Sequence, residues 1–106
     1  MAKTFWLEVI SPEAIIWSGE AQMVITRTTE GEIGILAGHE PTMAALATAS
    51  TVITPEAGEK VILAIHGGFL QIAAGRVTLL TDRAEVTRGD TDEARRMAEE
   101  MAEEGA

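Results

Sequence analysis

Apolar side chains recur at every second position through much of the chain before the last 20 residues or so, a pattern that predicts β-strands. In residues 4–10, for example, Phe5, Leu7 and Val9 fall on one face of a strand. Pro12 interrupts that segment, because proline has no N–H to donate to a sheet. Further strands are predicted at residues 14–17, 21–28, 60–65, 69–73 and 76–81, and residues 33–36 are a short apolar stretch after a turn. Turn-forming residues separate these segments about every eight to twelve positions, which predicts an all-β sandwich or barrel.

The middle of the chain gives a less definite pattern. Residues 37–43 are predicted to form a loop in which Pro41 disfavours helical torsion angles in the residue before it. The alanine-rich residues 44–49 favour helix on propensity, whereas residues 51–54 (TVIT) favour strand. We predict strand from about residue 48 onward.

Two features of the second half suggest close packing around a strand. Residues 60–65 (KVILAI) are apolar at nearly every position, as in a strand that is covered on both faces. Gly67 and Gly68 follow and predict a sharp bend or bulge between two strands. A backbone that approaches a phosphate is the alternative explanation for the two glycines.

The end of the chain changes to a helical pattern. Asp90, followed by Glu93 three residues later, is typical of a helix N-terminus. Apolar residues then recur at helical spacing at Ala94, Met97, Ala98 and Met101. We predict one short C-terminal α-helix over residues 91–104, with a narrow apolar stripe that packs on the sheet. The predicted organisation is a sandwich domain at 1–86 and a helical segment at 87–106.

Charge and composition exclude several functions. The formal net charge is -9, which disfavours binding to nucleic acid or to anionic lipid and leaves solubility or a basic partner as explanations. The chain has no cysteine, so it has neither disulfides nor a thiolate zinc site. It lacks a signal-peptide pattern and an apolar run of about 20 residues, so we expect a cytoplasmic protein.

No set of residues predicts catalysis. The two histidines, His39 and His66, lie in different segments and show no metal-ligand spacing. We expect a loop hydrogen bond for His39 and a strand-end role for His66. The sequence also lacks a nucleophile elbow and a Walker-type loop. We therefore expect neither an enzyme nor a cofactor.

Several motifs nevertheless resemble one family. Residues 30–41 (EGEIGILAGHEP) match the hallmark loop of F-type ATP synthase epsilon subunits, Glu-Gly-Glu-apolar-Gly-apolar-x-x-Gly-His-x-Pro. Residues 65–72 (IHGGFLQI) resemble the second signature of that family, and residues 77–85 resemble the stretch that follows it. The resemblance extends over almost the whole chain, with the motifs in the expected order.

The resemblance implies a mainly β fold, a two-layer β-sandwich of about ten short strands followed by one short C-terminal α-helix. It also implies a rotor subunit of the central stalk, without catalysis of its own, that couples the gamma shaft to the c-ring in proton-driven ATP synthesis. It would touch the catalytic alpha/beta head only indirectly and lie peripherally at the cytoplasmic face of the bacterial plasma membrane. The isolated chain is expected to be a monomer. The resemblance assigns the partner interface to Glu30, Gly31, Glu32, Gly34, Gly38, His39 and Pro41.

The chain departs from one family motif. Some bacterial members bind ATP through (Ile/Leu)-Asp-x-x-Arg-Ala, which Asp92 and Arg95 match, whereas Thr91 and Arg96 do not. We therefore expect weak or absent ATP binding and no inhibitory role for the tail. The alternatives to a stalk subunit are a stand-alone β-sandwich that senses a ligand or nucleotide and, less favoured, a subdomain of an enzyme.

Overall fold

The computed structural model describes residues 3–87 and 96–100, and nine β-strands form the first of these ranges. The strands are β1 (Phe5–Ile10), β2 (Ile15–Thr28), β3 (Gly31–Leu36), β4 (Thr42–Leu46), β5 (Ala49–Pro55), β6 (Val61–Ile65), β7 (Gly68–Ala73), β8 (Arg76–Leu80) and β9 (Ala84–Thr87). Residues 96–100 are helical. The predicted fold, a β-sandwich with a short C-terminal helix, is confirmed.

One long strand, β2, belongs to both layers of the sandwich. Its first half pairs with β1, and its second half lies between β3 and β5. The β1 layer continues through β8 and β7 to β4, and the β5 layer continues through β6 to β9. All neighbouring strands are antiparallel except β1 and β8, which are parallel.

The core lies between the two layers and follows the alternation seen in the sequence. Phe5, Leu7 and Val9 of β1 are buried, as their spacing predicts. Aliphatic side chains from seven other strands complete the core: Val24, Ile35, Leu46, Ile53, Leu63, Ile65, Leu70, Ile72, Val77 and Leu79. Burial of each such side chain contributes roughly 1.5–3 kcal/mol, which makes this cluster the main source of stability.

Two sequence-based expectations about the strands are wrong. The strands predicted at 14–17 and 21–28 are one strand, because Ser18 and Gly19 stay paired with Glu8 and Leu7 of β1. The prediction also missed β4, which lies in the expected loop and in the alanine-rich segment. All five residues of β4 pair with β7, and these ladder bonds outweigh the local helix propensity of alanine.

The helical residues 96–100 pack on the outer face of β6. Ala98 and Ala64 are both fully buried, and Met97 and Ile62 pack around them. This contact confirms that β6 is covered on both faces and that Met97 and Ala98 pack on their own domain. The remainder of the predicted helix, including Ala94 and Met101, lies outside the described residues.

The two glycines between β6 and β7 form the predicted bend, and Gly68 allows a close approach of two strands. Gly67 and Gly68 have φ angles of 62° and 117°. A Cβ atom on Gly68 would overlap the Leu80 carbonyl oxygen and lie 2.7 Å from the Thr81 Cα. Only glycine therefore fits at this position between β7 and the end of β8.

Replacing Gly68 with alanine should lower the free energy of unfolding by about 3 kcal/mol or more, because backbone strain and overlap with the Leu80 carbonyl combine. Gly34→Ala is the matched control, since a Cβ there meets nothing within 4 Å. Urea unfolding of the two variants and the wild type measures the difference. Equal loss of stability in both variants would contradict the role given to Gly68.

Candidate partner-binding surface

Five apolar residues line up across the outer face of the β1 layer. Cross-strand pairing joins Ala45 to Phe69, Phe69 to Leu80, Leu80 to Ile10 and Ile10 to Ile15. The five residues belong to five neighbouring strands, so the row is about 19 Å wide at the usual strand spacing. We call these five residues the apolar row.

Three large side chains of the apolar row are exposed to solvent. The exposed fractions are 60% for Ile15, 58% for Phe69 and 45% for Leu80. Met43, two positions before Ala45 on β4 and hence on the same face, is 74% exposed. Contiguous exposed apolar side chains on a small protein indicate a surface that binds a partner.

Most neighbouring positions on this face are polar, with Met43 on β4 as the exception, and they give the apolar row a boundary. Two residues away from the row along each strand, and on the same face, Gln71 lies opposite Thr78, and Thr78 lies opposite Glu8. The apolar row therefore lies at the end of the β1 layer where β1 and β8 end and β7 begins.

The predicted interface residues do not form one group. Glu30 lies in the turn before β3, whereas Gly38, His39 and Pro41 follow β3. β3 has six residues and is about 20 Å long, and it separates these two sets. Glu32 and Gly34 lie along β3 itself, and both are exposed. The sequence motif is continuous, but its ends occupy opposite ends of a strand.

The turn at Glu30 is fixed next to the apolar row. The Thr28 hydroxyl oxygen accepts a hydrogen bond from the Glu30 N–H (3.1 Å), and the hydroxyl donates to the Gly31 carbonyl (3.0 Å). The Thr29 N–H donates to the carbonyl of Ala45, a member of the apolar row, at 2.9 Å. The turn therefore has a defined position relative to the row.

The loop after β3 is held by His39. The imidazole Nδ1 lies 2.9 Å from the Glu40 carbonyl oxygen, and the His39 N–H donates to the Leu36 carbonyl (3.2 Å). The loop hydrogen bond predicted for His39 is confirmed. His66 donates its backbone N–H to the Arg83 carbonyl beyond the end of β6, which agrees with the predicted strand-end role.

The described residues add two observations about possible sites. Within 3–87 and 96–100, no three His, Cys, Asp or Glu side chains form a set that could hold a metal ion. No helix in that part of the chain is long and apolar enough to cross a membrane. Asp92 and Arg95, the matches to the nucleotide motif, lie outside the described residues.

Sequence reasoning missed the apolar row, although a signal is present. Phe69-Leu70, Leu79-Leu80, Ile15-Ile16 and Val9-Ile10 are pairs of adjacent apolar residues within strands. In a strand, one member of such a pair faces the core and the other faces outward. Four such pairs indicate an outer face that is partly apolar, but their alignment depends on pairing between distant strands.

Comparison with known proteins identifies the fold. Residues 4–87 match the family model described as ATP synthase, Delta/Epsilon chain, beta-sandwich domain. The chain is 46% identical over 83 residues to a protein of Rhodococcus erythropolis named ATP synthase epsilon chain, covering 77% of this chain and 68% of that protein. A protein of the same name from Nocardia farcinica is 40% identical over 102 residues, covering 94% and 78%.

Comparison with solved structures indicates the same fold. A chain of the Euglena gracilis mitochondrial ATP synthase, in a structure of OSCP, F1 and c-ring, superposes with a TM-score of 0.76 and 29% identity. That match covers 94% of this chain but 62% of the Euglena chain, which is less than two thirds of its length. A chain from the central stalk and c-ring of the Tetrahymena thermophila enzyme shares the fold alone, with a TM-score of 0.69, 11% identity and coverage of 79% and 67%. This chain therefore belongs to the family of ATP synthase delta and epsilon chains that share the β-sandwich domain.

Proposed function

We propose that this chain works in the rotor of an F-type ATP synthase, where it joins the gamma shaft to the c-ring and catalyses nothing itself. In this role it transmits torque between the two during proton-driven ATP synthesis. Family membership supports the proposal, as does the likeness to a chain in a structure of OSCP, F1 and c-ring. The observation that carries the proposal is the exposed apolar row. Apolar side chains that contact water raise the free energy of the free chain, and burial against a partner removes that cost.

The two parts of the surface suit different partners. The apolar row lies on a sheet face and offers a broad, flat contact, which suits the side of the gamma shaft. The turn that leads into β3 is narrow and carries exposed Glu30, and exposed Glu32 follows at the start of β3. Such a turn suits the polar or basic loops of the c-ring. Both contacts fall within the proposed sandwich domain, residues 1–86.

The mechanical role agrees with the construction of the fold. Load applied to the Glu30 turn passes directly into β2 and, through the Thr29–Ala45 hydrogen bond, into β4. Both strands carry residues of the apolar row. A ring partner would hold the chain peripherally at the cytoplasmic face of the bacterial plasma membrane, facing the shaft.

Replacing Phe69 with serine should weaken binding to the gamma subunit from the same organism by about thirty-fold, the effect of losing about 2 kcal/mol at the centre of an interface. The fold should survive, because Phe69 is 58% exposed. The measurement is the dissociation constant of the purified chain on immobilised gamma. Val86→Ser is the matched control, since Val86 is 51% exposed and lies outside the apolar row.

The two results to compare are the dissociation constants of the Phe69 and Val86 variants. Equal weakening by both would show that the apolar row has no special part in binding. A wild-type chain that fails to bind gamma at all would overturn the rotor assignment. It would favour the alternative of a separate ligand-sensing or nucleotide-sensing β-sandwich.

Replacing Gly34 with arginine should weaken association with the complex of gamma and c-ring more than it lowers the free energy of unfolding. The position is exposed and open, so a long side chain fits the fold but obstructs a closely approaching partner. Gly34→Ala is the control and should assemble normally. Co-purification of the tagged chain with the detergent-solubilised rotor tests this, and normal assembly of Gly34→Arg would remove β3 from the proposed interface.

A further inference from the structure

An open pocket of about 460 Å³ lies at the edge of the apolar row. It is lined by Ile10, Ser11, Pro12, Gly68, Phe69, Leu80, Thr81 and Asp82. Most of its wall is apolar, and Asp82 provides the one carboxylate among these lining residues. The pocket therefore combines an apolar channel with a single negative charge.

Hydrogen bonds fix both walls of the pocket. On one side, Ser11 and Ala14 exchange two backbone hydrogen bonds of 2.9 and 3.3 Å, which hold the turn containing Pro12. On the other side, the Thr81 hydroxyl donates to the Arg83 carbonyl at 3.0 Å. The Thr81 N–H donates to the Ile10 carbonyl at 2.9 Å and joins the two walls. The pocket is a preformed feature of the strand ends.

The Asp82 carboxylate is available to a partner. Asp82 is exposed, and its Oδ2 lies 3.7 Å from the point where a Cβ on Gly67 would be. Among residues 3–87 and 96–100, no cationic group lies within 4 Å of this carboxylate. The neighbouring Arg83 directs its guanidinium to Glu85, at 3.5 Å.

The chemistry of the pocket selects one kind of side chain. Lysine and arginine have apolar stems that pack along apolar walls and a cationic head that stays near a charge. The ring of Phe69 adds a face that attracts such a cation. An uncharged side chain would desolvate the Asp82 carboxylate and leave it without a partner, which is costly.

We propose that this pocket receives one lysine or arginine side chain of the gamma subunit, with its stem against Phe69 and Leu80 and its charge at Asp82. The inference rests on the proposed function, since it names the chemistry of the partner at the same surface. The net charge of -9 adds a longer-range attraction toward a cationic partner.

The test is the salt dependence of binding by the Asp82→Asn variant to immobilised gamma. At low ionic strength, about 0.01 M, the variant should bind about tenfold more weakly than the wild type, and at about 1 M salt the two should converge. Glu59→Gln is the matched control. It removes the same charge from the exposed loop at the other end of β6 and should bind like the wild type.

Each outcome has a definite meaning. If Asp82→Asn binds with wild-type affinity and salt dependence, the pocket does not receive a cationic side chain, and the rotor assignment stays intact. Equal weakening by Asp82→Asn and Glu59→Gln would also overturn it, because overall charge would then explain the effect. A wild-type chain that does not bind gamma at either salt concentration would overturn the proposed function and this inference with it.

Discussion

The whole arrangement depends on the backbone pairing of β2. This 14-residue strand pairs with four others, β1, β3, β4 and β5, and so takes part in both layers. The layers are therefore joined by main-chain hydrogen bonds as well as by core packing. β2 begins at Ile15, in the apolar row, and ends at Thr28, which holds the Glu30 turn. One strand thus sets the distance between the two proposed contacts.

An exposed apolar row and a strongly acidic chain are complementary features. Apolar side chains on an open sheet face favour self-association, while a net charge of -9 keeps copies apart through repulsion. In the proposed role, the same charge attracts a basic partner, and contact with that partner buries Phe69 and Leu80. In the proposed role, solubility of the free chain and affinity for the partner thus depend on different groups, the charged side chains and the apolar row.

Much of the fold was predictable from sequence, because alternation in segments such as β1 and β7 is local information. The β4 strand was not, since its first two residues fall in the expected loop and its alanines favour helix by propensity. It becomes a strand only through its pairing with β7. The site was harder to predict. The apolar row exists only in the register of five strands that are distant in sequence, and Phe69 looks like one more core residue in isolation.

The family motif gave only part of the site. It pointed to residues 30–41, but β3 separates the Glu30 turn from the His39 loop by about 20 Å. The residues of the motif are continuous in sequence, but the strand inside it places the two ends of the motif far apart in space. The structure therefore resolves one sequence signature into two separate positions, and the apolar row adjoins the first of them.

The central claim is that the apolar row is covered by a partner in the assembled rotor. The chain has no cysteine, so a single cysteine introduced by Phe69→Cys can be labelled uniquely by a maleimide. The labelling rate is compared between the free chain and the assembled complex, with Val86→Cys as reference. The account predicts fast labelling of residue 69 in the free chain, strong protection on assembly, and an unchanged rate at residue 86. Equal labelling of residue 69 in both states would contradict it.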